Sequence, residues 1–187
     1  DLVYGGLSDL LNVENVIGTQ QGDEITGSAA ADDLDGQGGD DLIEGGLGSD
    51  TLFGDAGNDS LYGGDDADTM GGGIGNDFLA GQSGDDYIAG GGDNDTAYGG
   101  NGSDYIDGGT GDDLLAGNAG ADSILGRDGN DTLLGGTEND TLYGNDGNDD
   151  LSGEDGDDSL LGGLGADTIS GDDGADRIFG EGGNDEV

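Results

Sequence analysis

A nine-residue pattern repeated in an unbroken frame constrains this chain more than any other feature. The pattern is G-G-x-G-x-D-x-U-x, where U is a large apolar residue, and residues 99–107 carry it as GGNGSDYID. In the same frame the first position holds Gly from Gly18 to Gly180, and the sixth position holds Asp from Asp23 to Asp185, without an insertion or deletion. A frame kept over this length indicates that every copy meets the same geometric constraint.

The pattern predicts a β-solenoid. Its first six positions resemble a tight turn that ends in a carboxylate, and its last three predict a very short strand. Side chains of a strand alternate between its faces, so only the central residue of the three points inward. Two copies per coil then give an all-β fold, a flattened right-handed parallel β-roll with two thin parallel sheets around one aliphatic layer. Turns eighteen residues apart stack about 4.8 Å apart, and the inward column is expected to run from Ile25 to Val187.

The frame divides the chain into three parts. Residues 1–17 are richer in apolar residues and are expected to cap the N-terminal end of the array, since repeat stacks need atypical terminal units. Residues 18–35 keep the Gly and the Asp but have Gln21 and Ala30 at the fourth position, which predicts degenerate coils with weak or absent ion sites. Residues 36–187 form the regular array, which ends one residue short of a full copy and is expected to be truncated there.

Three regular copies depart from Gly at the fourth position, where Asp66, Asp93 and Glu138 stand. Asp tolerates a left-handed backbone better than most residues, whereas Glu does so less readily. Local distortion is therefore expected at these three turns.

The charge balance restricts the partners. The chain has two Arg, no Lys and 45 Asp and Glu, for a net charge of -43. Nucleic acid and anionic membranes are therefore repelled, and a cation is the expected partner. Low hydrophobicity with high charge is also typical of disordered chains, but such chains rarely keep a strict frame. The chain has no Cys and no His, which excludes disulfides, a zinc protease site and a Ser-His-Asp triad. No enzymatic activity is expected.

The stacked carboxylates predict bound calcium. Two carboxylates about 5 Å apart repel by roughly 1 kcal/mol in water and about 3 kcal/mol at an effective dielectric of 20, so a bare column should not hold. Carboxylate and carbonyl oxygens are the available ligands, and they favour a hard cation; Ca²⁺ fits flexible turns better than Mg²⁺. The expected ligands on one edge, the first aspartate column, are Asp41, Asp59, Asp77, Asp95, Asp113, Asp131, Asp149, Asp167 and Asp185. Those on the other edge, the second aspartate column, are Asp50, Asp68, Asp86, Asp104, Asp122, Asp140, Asp158 and Asp176.

The copies from residue 18 to residue 187 resemble the repeats-in-toxin (RTX) family, also called hemolysin-type calcium-binding repeats. The resemblance implies a β-roll with Ca²⁺ held between successive turns by the sixth-position Asp and by turn carbonyls. It also implies type I secretion from a Gram-negative bacterium, with folding outside the cell or at its surface. One ion between each stacked pair of regular turns gives eight sites on one edge and seven on the other, or about fifteen Ca²⁺ ions.

Three biological roles stay open at this point. The chain is a calcium-dependent folding module of a larger secreted protein, or a structural extracellular protein such as an adhesin stalk, surface layer or filament, or the non-catalytic tail of a secreted protease, lipase or polysaccharide epimerase. Self-assembly and a cell-surface or polysaccharide partner also stay open. The aromatic residues of the outward strand positions are expected to be scattered rather than gathered into one patch; they include Phe53, Tyr62, Phe78, Tyr98, Tyr143 and Phe179.

Overall fold

The computed structural model describes residues 14–187 as a parallel two-sheet β-solenoid. Successive strands alternate between the two sheets, so each strand pairs with those two places before and after it in the chain. All pairings are parallel, and partners lie eighteen residues apart, as Ile106 with Ile88 and Ile124. The predicted all-β parallel β-roll with two nonapeptides per coil is confirmed.

The strands of the two sheets cover most of the described chain. The ten-stranded sheet consists, in spatial order, of β1 (Asn15–Ile17), β3 (Asp33–Asp35), β5 (Thr51–Ala56), β7 (Thr69–Ile74), β9 (Tyr87–Gly92), β11 (Tyr105–Thr110), β13 (Ser123–Asp128), β15 (Thr141–Asp146), β17 (Ser159–Leu164) and β19 (Arg177–Gly182). The nine-stranded sheet consists, in spatial order, of β18 (Thr168–Ser170), β16 (Asp150–Asp155), β14 (Thr132–Thr137), β12 (Leu114–Ala119), β10 (Thr96–Asn101), β8 (Phe78–Ser83), β6 (Ser60–Asp65), β4 (Leu42–Leu47) and β2 (Glu24–Thr26).

Most strands are twice as long as the sequence predicted. They run for six residues, from the seventh position of one copy to the third position of the next, as in β11. The extension arises because identical coils stack in register, so Gly109 also pairs with Gly91 and Arg127 on its two neighbouring strands. The turn is correspondingly shorter and covers the fourth to sixth positions.

The core is one layer of eighth-position side chains, which the two sheets contribute alternately. From Ile25 to Ile169 every member is at most 5% exposed. Val16 on β1 adds one row at the start, and Ile178 is partly buried. Val187 was predicted to belong to this column, but it is 76% exposed, since no described coil stacks over it. A row of one aliphatic side chain per copy is a thin core for this much Gly-rich backbone.

The three departing turns keep the regular geometry. Asp66, Asp93 and Glu138 have φ values of 75°, 73° and 76°, and the strands on either side keep their register. The expected local distortion is therefore absent. A left-handed non-Gly residue costs roughly 1–2 kcal/mol, and the stacked coils supply that energy.

A second left-handed position was not predicted. Non-Gly residues with positive φ also occupy the second position of many copies, namely Gln37, Asp55, Gln82, Asn118, Arg127, Asn145, Glu154, Asp172 and Glu181. Most second positions hold Gly, Asn or Asp. These residues adopt a left-handed backbone more readily than others, so this preference could have predicted the positive φ.

Three of the outward aromatics lie together, so the expectation that all are scattered is wrong. The rings of Tyr62 and Phe78 have centroids 5.6 Å apart, and those of Phe78 and Tyr98 5.8 Å apart. These residues lie on β6, β8 and β10, which are neighbours in the nine-stranded sheet. Phe78 is at the seventh position of its copy, whereas Tyr62 and Tyr98 are at the ninth position of theirs. Phe78 therefore contacts both Tyr rings diagonally across the neighbouring strands.

Residues 1–13, which carry most of the predicted N-terminal cap, lie outside the described residues. The last residues of the predicted cap, Asn15–Ile17, form β1, which pairs with β3 in the ten-stranded sheet. No helix in residues 14–187 is long and apolar enough to cross a membrane.

Candidate metal centre: two columns of buried aspartates

The sixth-position aspartates line the two edges of the roll. Every one from Asp23 to Asp167 is buried, with at most 6% of its surface exposed. Of the predicted ligands, Asp176 and Asp185 at the C-terminal end are only half-buried. Carboxylates are rarely buried unless they are paired or bind a metal ion, so these columns need a physical explanation.

One oxygen of each carboxylate fastens successive coils together. The backbone N–H of Asp86 donates to Oδ1 of Asp104 at 2.8 Å, and the N–H of Asp104 donates to Oδ1 of Asp122 at 2.7 Å. The same contact recurs along both edges, from the Asp23 N–H and Asp41 pair to the Asp167 N–H and Asp185 pair. Each side chain therefore orients the turn of the preceding coil and is itself held in one direction.

The second oxygen has no hydrogen-bond partner. This is so for fifteen buried aspartates, and their Oδ2 atoms are enclosed. They are Asp41, Asp50, Asp59, Asp68, Asp77, Asp86, Asp95, Asp104, Asp113, Asp122, Asp131, Asp140, Asp149, Asp158 and Asp167. A buried charged oxygen without a partner is costly, and its recurrence in register points to a common binding partner for both columns.

The first-position glycines leave the space into which Oδ2 points. A Cβ atom built on Gly81 would overlap both Oδ2 of Asp86 and, at 2.6 Å, the carbonyl oxygen of Gly99. The same three-way arrangement joins Gly45, Asp50 and Gly63. These glycines do not have positive φ, so the missing side chain, rather than backbone freedom, explains them. A carboxylate and a carbonyl oxygen thus converge beside each one.

The columns favour neutral carboxyl groups. Burial is the main cause that raises the pKa of Asp104 to about 7; the stacked Asp122 and Asp86 carboxylates act in the same direction, and the hydrogen bond from Asp86 N–H opposes them. The pKa values of Asp68, Asp95 and Asp140 are raised to about 7 for the same leading cause. Burial raises the pKa to about 6 for Asp41, Asp50, Asp77, Asp113, Asp131 and Asp149. It also raises the pKa of Asp59, Asp86, Asp122 and Asp158. A proton neutralises one buried carboxylate, whereas a divalent cation would neutralise the charge of two neighbouring carboxylates.

In the lead-in copies Oδ2 has a hydrogen-bond partner within the protein, although Oδ1 of Asp32 is buried without one. Oδ2 of Asp23 accepts hydrogen bonds from the backbone N–H and the Oγ of Thr19, at 2.7 and 2.8 Å. Oδ2 of Asp32 accepts one from the N–H of Ser28 at 2.6 Å. The regular copies lack this contact, so the protein itself provides at residues 18–35 what is missing farther along the columns.

The donor set fits a hard cation. Among residues 14–187 no three carboxylates lie close enough together to hold a metal ion by themselves, so backbone carbonyls must complete any site. Ca²⁺ accepts six to eight such oxygens in flexible geometry. The unpartnered Oδ2 atoms and the carbonyl oxygens near the first-position glycines are donors of the kind that such an ion requires.

A fifth-position ladder, missed in the sequence, joins the coils in the opposite direction. On the edge of the first aspartate column, the N–H of Asn76 donates to Oδ1 of Asn58 at 2.8 Å, and the N–H of Asn94 donates to Oδ1 of Asn76 at 2.9 Å. It runs from Asp40 to Asn148 without a gap. This rim is exposed, and it holds the turns in register without using the buried carboxylates.

A profile described as the RTX calcium-binding nonapeptide repeat (4 copies) matches the chain in eight overlapping segments. They are residues 17–52, 44–79, 71–106, 80–115, 98–133, 107–141, 125–160 and 152–187. Together they cover residues 17 to 187 without a gap. No curated protein is similar enough to the chain to match it.

Proposed function

The chain belongs to the family of RTX calcium-binding nonapeptide repeats, and from that premise we propose that it is a folding module whose two aspartate columns bind Ca²⁺ outside the cell. The single observation that carries the proposal is the row of buried, unpartnered Oδ2 atoms in the regular copies. The ligands are the seventeen sixth-position aspartates of the two columns, from Asp41 to Asp185, together with carbonyl oxygens of the turns.

Each part of the nonapeptide has a separate task. The hydrogen bond to Oδ1 fixes the carboxylate, the first-position Gly leaves room for Oδ2, and the eighth-position side chain contributes the core row. When bound, the ion supplies positive charge between stacked turns. With one ion between each pair of regular turns, about fifteen Ca²⁺ ions would add a charge of roughly +30 to the -43 of the chain and leave about -13.

Calcium binding and folding are then one process. The turns that form the sites exist only when two coils stack, so the binding free energy contributes to folding directly. At a calcium concentration 100 times the dissociation constant, each site stabilises the folded chain by about 2.7 kcal/mol. The array would stay unfolded in a calcium-poor cytoplasm and fold at the millimolar calcium concentrations to which extracellular modules are tuned.

RTX repeats are typically secreted, and the module accordingly belongs to a larger bacterial protein exported by a type I system. No catalytic role is proposed for residues 14–187. A structural extracellular role is the second candidate, because the register stays unbroken over nineteen strands and a rod of that kind can serve as a stalk.

Small-angle scattering at controlled free calcium tests the proposal. An unfolded chain of this length has a radius of gyration of about 46 Å, and a compact fold of the same length about 16 Å. We expect the larger value in a chelator at pH 7.5 and a value near the smaller one in about 1 mM calcium. A compact particle in the chelator, or an expanded one in calcium, would refute calcium-dependent folding.

A further inference from the structure

The outer surface of the nine-stranded sheet contains a region without charge. The uncharged face consists of the outward side chains at the seventh, ninth and second positions on β6, β8, β10, β12 and β14. Its borders are charged: Glu44 on β4 at one end, Asp150 and Glu154 on β16 at the other, and Asp65 as the last residue of β6. In a chain with 45 acidic residues, fifteen consecutive outward positions without one form a distinct surface.

Three aromatic rings lie on β6, β8 and β10, toward one end of the uncharged face. The Phe78 ring contacts those of Tyr62 and Tyr98 with interplanar angles of 46° and 50°, and each ring keeps part of its surface exposed. Cross-strand aromatic contacts stabilise a sheet by themselves. They do not account for the lack of charge around them or for the depression beside Tyr62.

That depression has a volume of about 290 Å³ and is lined by Glu44, Gly46, Tyr62, Gly63, Gly64 and Gln82. Three of these six residues are glycines, and Tyr62 is the aromatic residue among them. Glu44 and Gln82 lie on the neighbouring strands β4 and β8, so a hydrogen-bond acceptor and a carboxamide flank the ring. A ring beside a few polar groups suits a ligand that has an apolar face and hydroxyl groups at its rim.

From this arrangement we propose that the uncharged face binds a linear neutral glycan. Pyranose rings present C–H groups on one face and hydroxyls at the edge, which matches the aromatic rings and the polar groups beside them. Tyr62 and Tyr98 lie two strands apart, about 10 Å, which is comparable to a disaccharide unit. The face carries no Lys or Arg, so an anionic polysaccharide would meet only repulsion from the surrounding carboxylates.

The size of the face favours a narrow ligand over a second copy of the chain. Five strands and four residue intervals along each strand span about 19 by 13 Å, or roughly 250 Å². A stable protein interface buries about 800 Å² on each partner. The face therefore accommodates three or four sugar rings in a row but is too small for a stable dimer.

Affinity electrophoresis of the full chain in 2 mM calcium tests the proposal at about physiological extracellular calcium. The probes are hydroxyethyl cellulose and laminarin as neutral glucans and polygalacturonate as the anionic control. At least one neutral glucan should retard the protein, and polygalacturonate should not. Retardation by neither glucan, or stronger retardation by polygalacturonate, would overturn the proposal.

Matched variants assign the binding to this face. Tyr62→Ala and Tyr98→Ala are each expected to weaken glucan binding about tenfold. Tyr143→Ala, which removes a ninth-position Tyr from the opposite sheet, should leave it unchanged. Equal loss in all three would exclude the uncharged face, and sedimentation that shows a dimer broken by Tyr62→Ala would instead identify a second copy as the occupant. Circular dichroism with and without calcium on the same samples separates a failure of glycan binding from a failure of calcium-dependent folding.

Discussion

Replacing Asp104 by Asn removes one buried negative charge and keeps the oxygen that holds the turn. In the native chain Oδ1 accepts the N–H of Asp86 at 2.8 Å, and Oδ2 is buried without a partner. The Asn carbonyl can accept the same hydrogen bond, and its amide nitrogen takes the place of Oδ2. The substitution therefore removes a proposed calcium ligand without creating a cavity.

The sign of the effect should depend on calcium. Burial raises the pKa of Asp104 to about 7, so without metal the ionised carboxylate destabilises the fold by a few kcal/mol relative to a neutral side chain. Asn should then stabilise the metal-free roll. In calcium at 100 times the dissociation constant, each lost ion costs about 2.7 kcal/mol, and Asp104 adjoins two proposed sites, those with Asp86 and Asp122. The variant should lose up to about 5 kcal/mol there.

Two denaturation assays measure the reversal. Urea unfolding in saturating calcium should show the loss, and folding induced by trimethylamine N-oxide in a chelator at pH 7.5 should need less osmolyte for the variant. The control is Asp85→Asn, which removes the same charge at an exposed neighbour whose Oδ1 accepts the N–H of Ser103. It should change stability by less than about 0.5 kcal/mol in either medium. An Asp104→Asn variant as stable as wild type in calcium, or equally destabilised in the chelator, would refute the proposed role of Oδ2.

Three further perturbations follow from the same geometry. Acidification should fold the metal-free chain, because folding raises the pKa of buried carboxyl groups from 3.8 to about 6 or 7. The resulting stabilisation is complete below pH 3.8 and is lost as the pH rises through the raised values. Far-UV circular dichroism in chelator should show more β-structure at pH 4 than at pH 7.5, and equal spectra would contradict this. Gly99→Ala should lower both stability and bound calcium, since its Cβ would overlap Asp104 Oδ2. Gly92→Ala should be tolerated, because a Cβ there would lie 3.5 Å from the nearest atom and the residue has no positive φ. Calorimetric titration measures both variants, and equal effects would exclude the spatial role of the first-position Gly. Asp23→Asn should leave the number of bound ions unchanged, because Thr19 already satisfies that oxygen; a drop in stoichiometry equal to that of Asp104→Asn would show that the lead-in copies bind calcium as well.

Periodicity explains why much of the fold could be predicted from the sequence. Ile106 and Asp104 occupy the eighth and sixth positions of their copy. Because every copy stacks in the same register, the position of one copy predicts the corresponding core residue and carboxylate of all the others. The prediction for Val187 was wrong because burial in a solenoid needs a neighbouring coil on each side, and no described coil stacks over this residue.

The hydrogen bonds between coils could not be predicted in the same way. That Oδ1 of Asp104 accepts the N–H of Asp86, and that Oδ2 stays free, depends on the distance between two turns rather than on the residues of either one. The contact of Thr19 with Asp23 likewise requires the folded turn. The sequence could predict where carboxylates gather, but only the stacked backbone shows which Oδ2 atoms accept a hydrogen bond from the protein and which have no partner.

A calcium titration followed by far-UV circular dichroism tests the central claim most directly. Calcium should convert an unfolded chain to β-structure in one cooperative transition at pH 7.5, and magnesium or sodium chloride at matched ionic strength should not. A chain that is already folded in chelator, or one that folds equally in sodium chloride, would contradict the claim that calcium completes the aspartate columns.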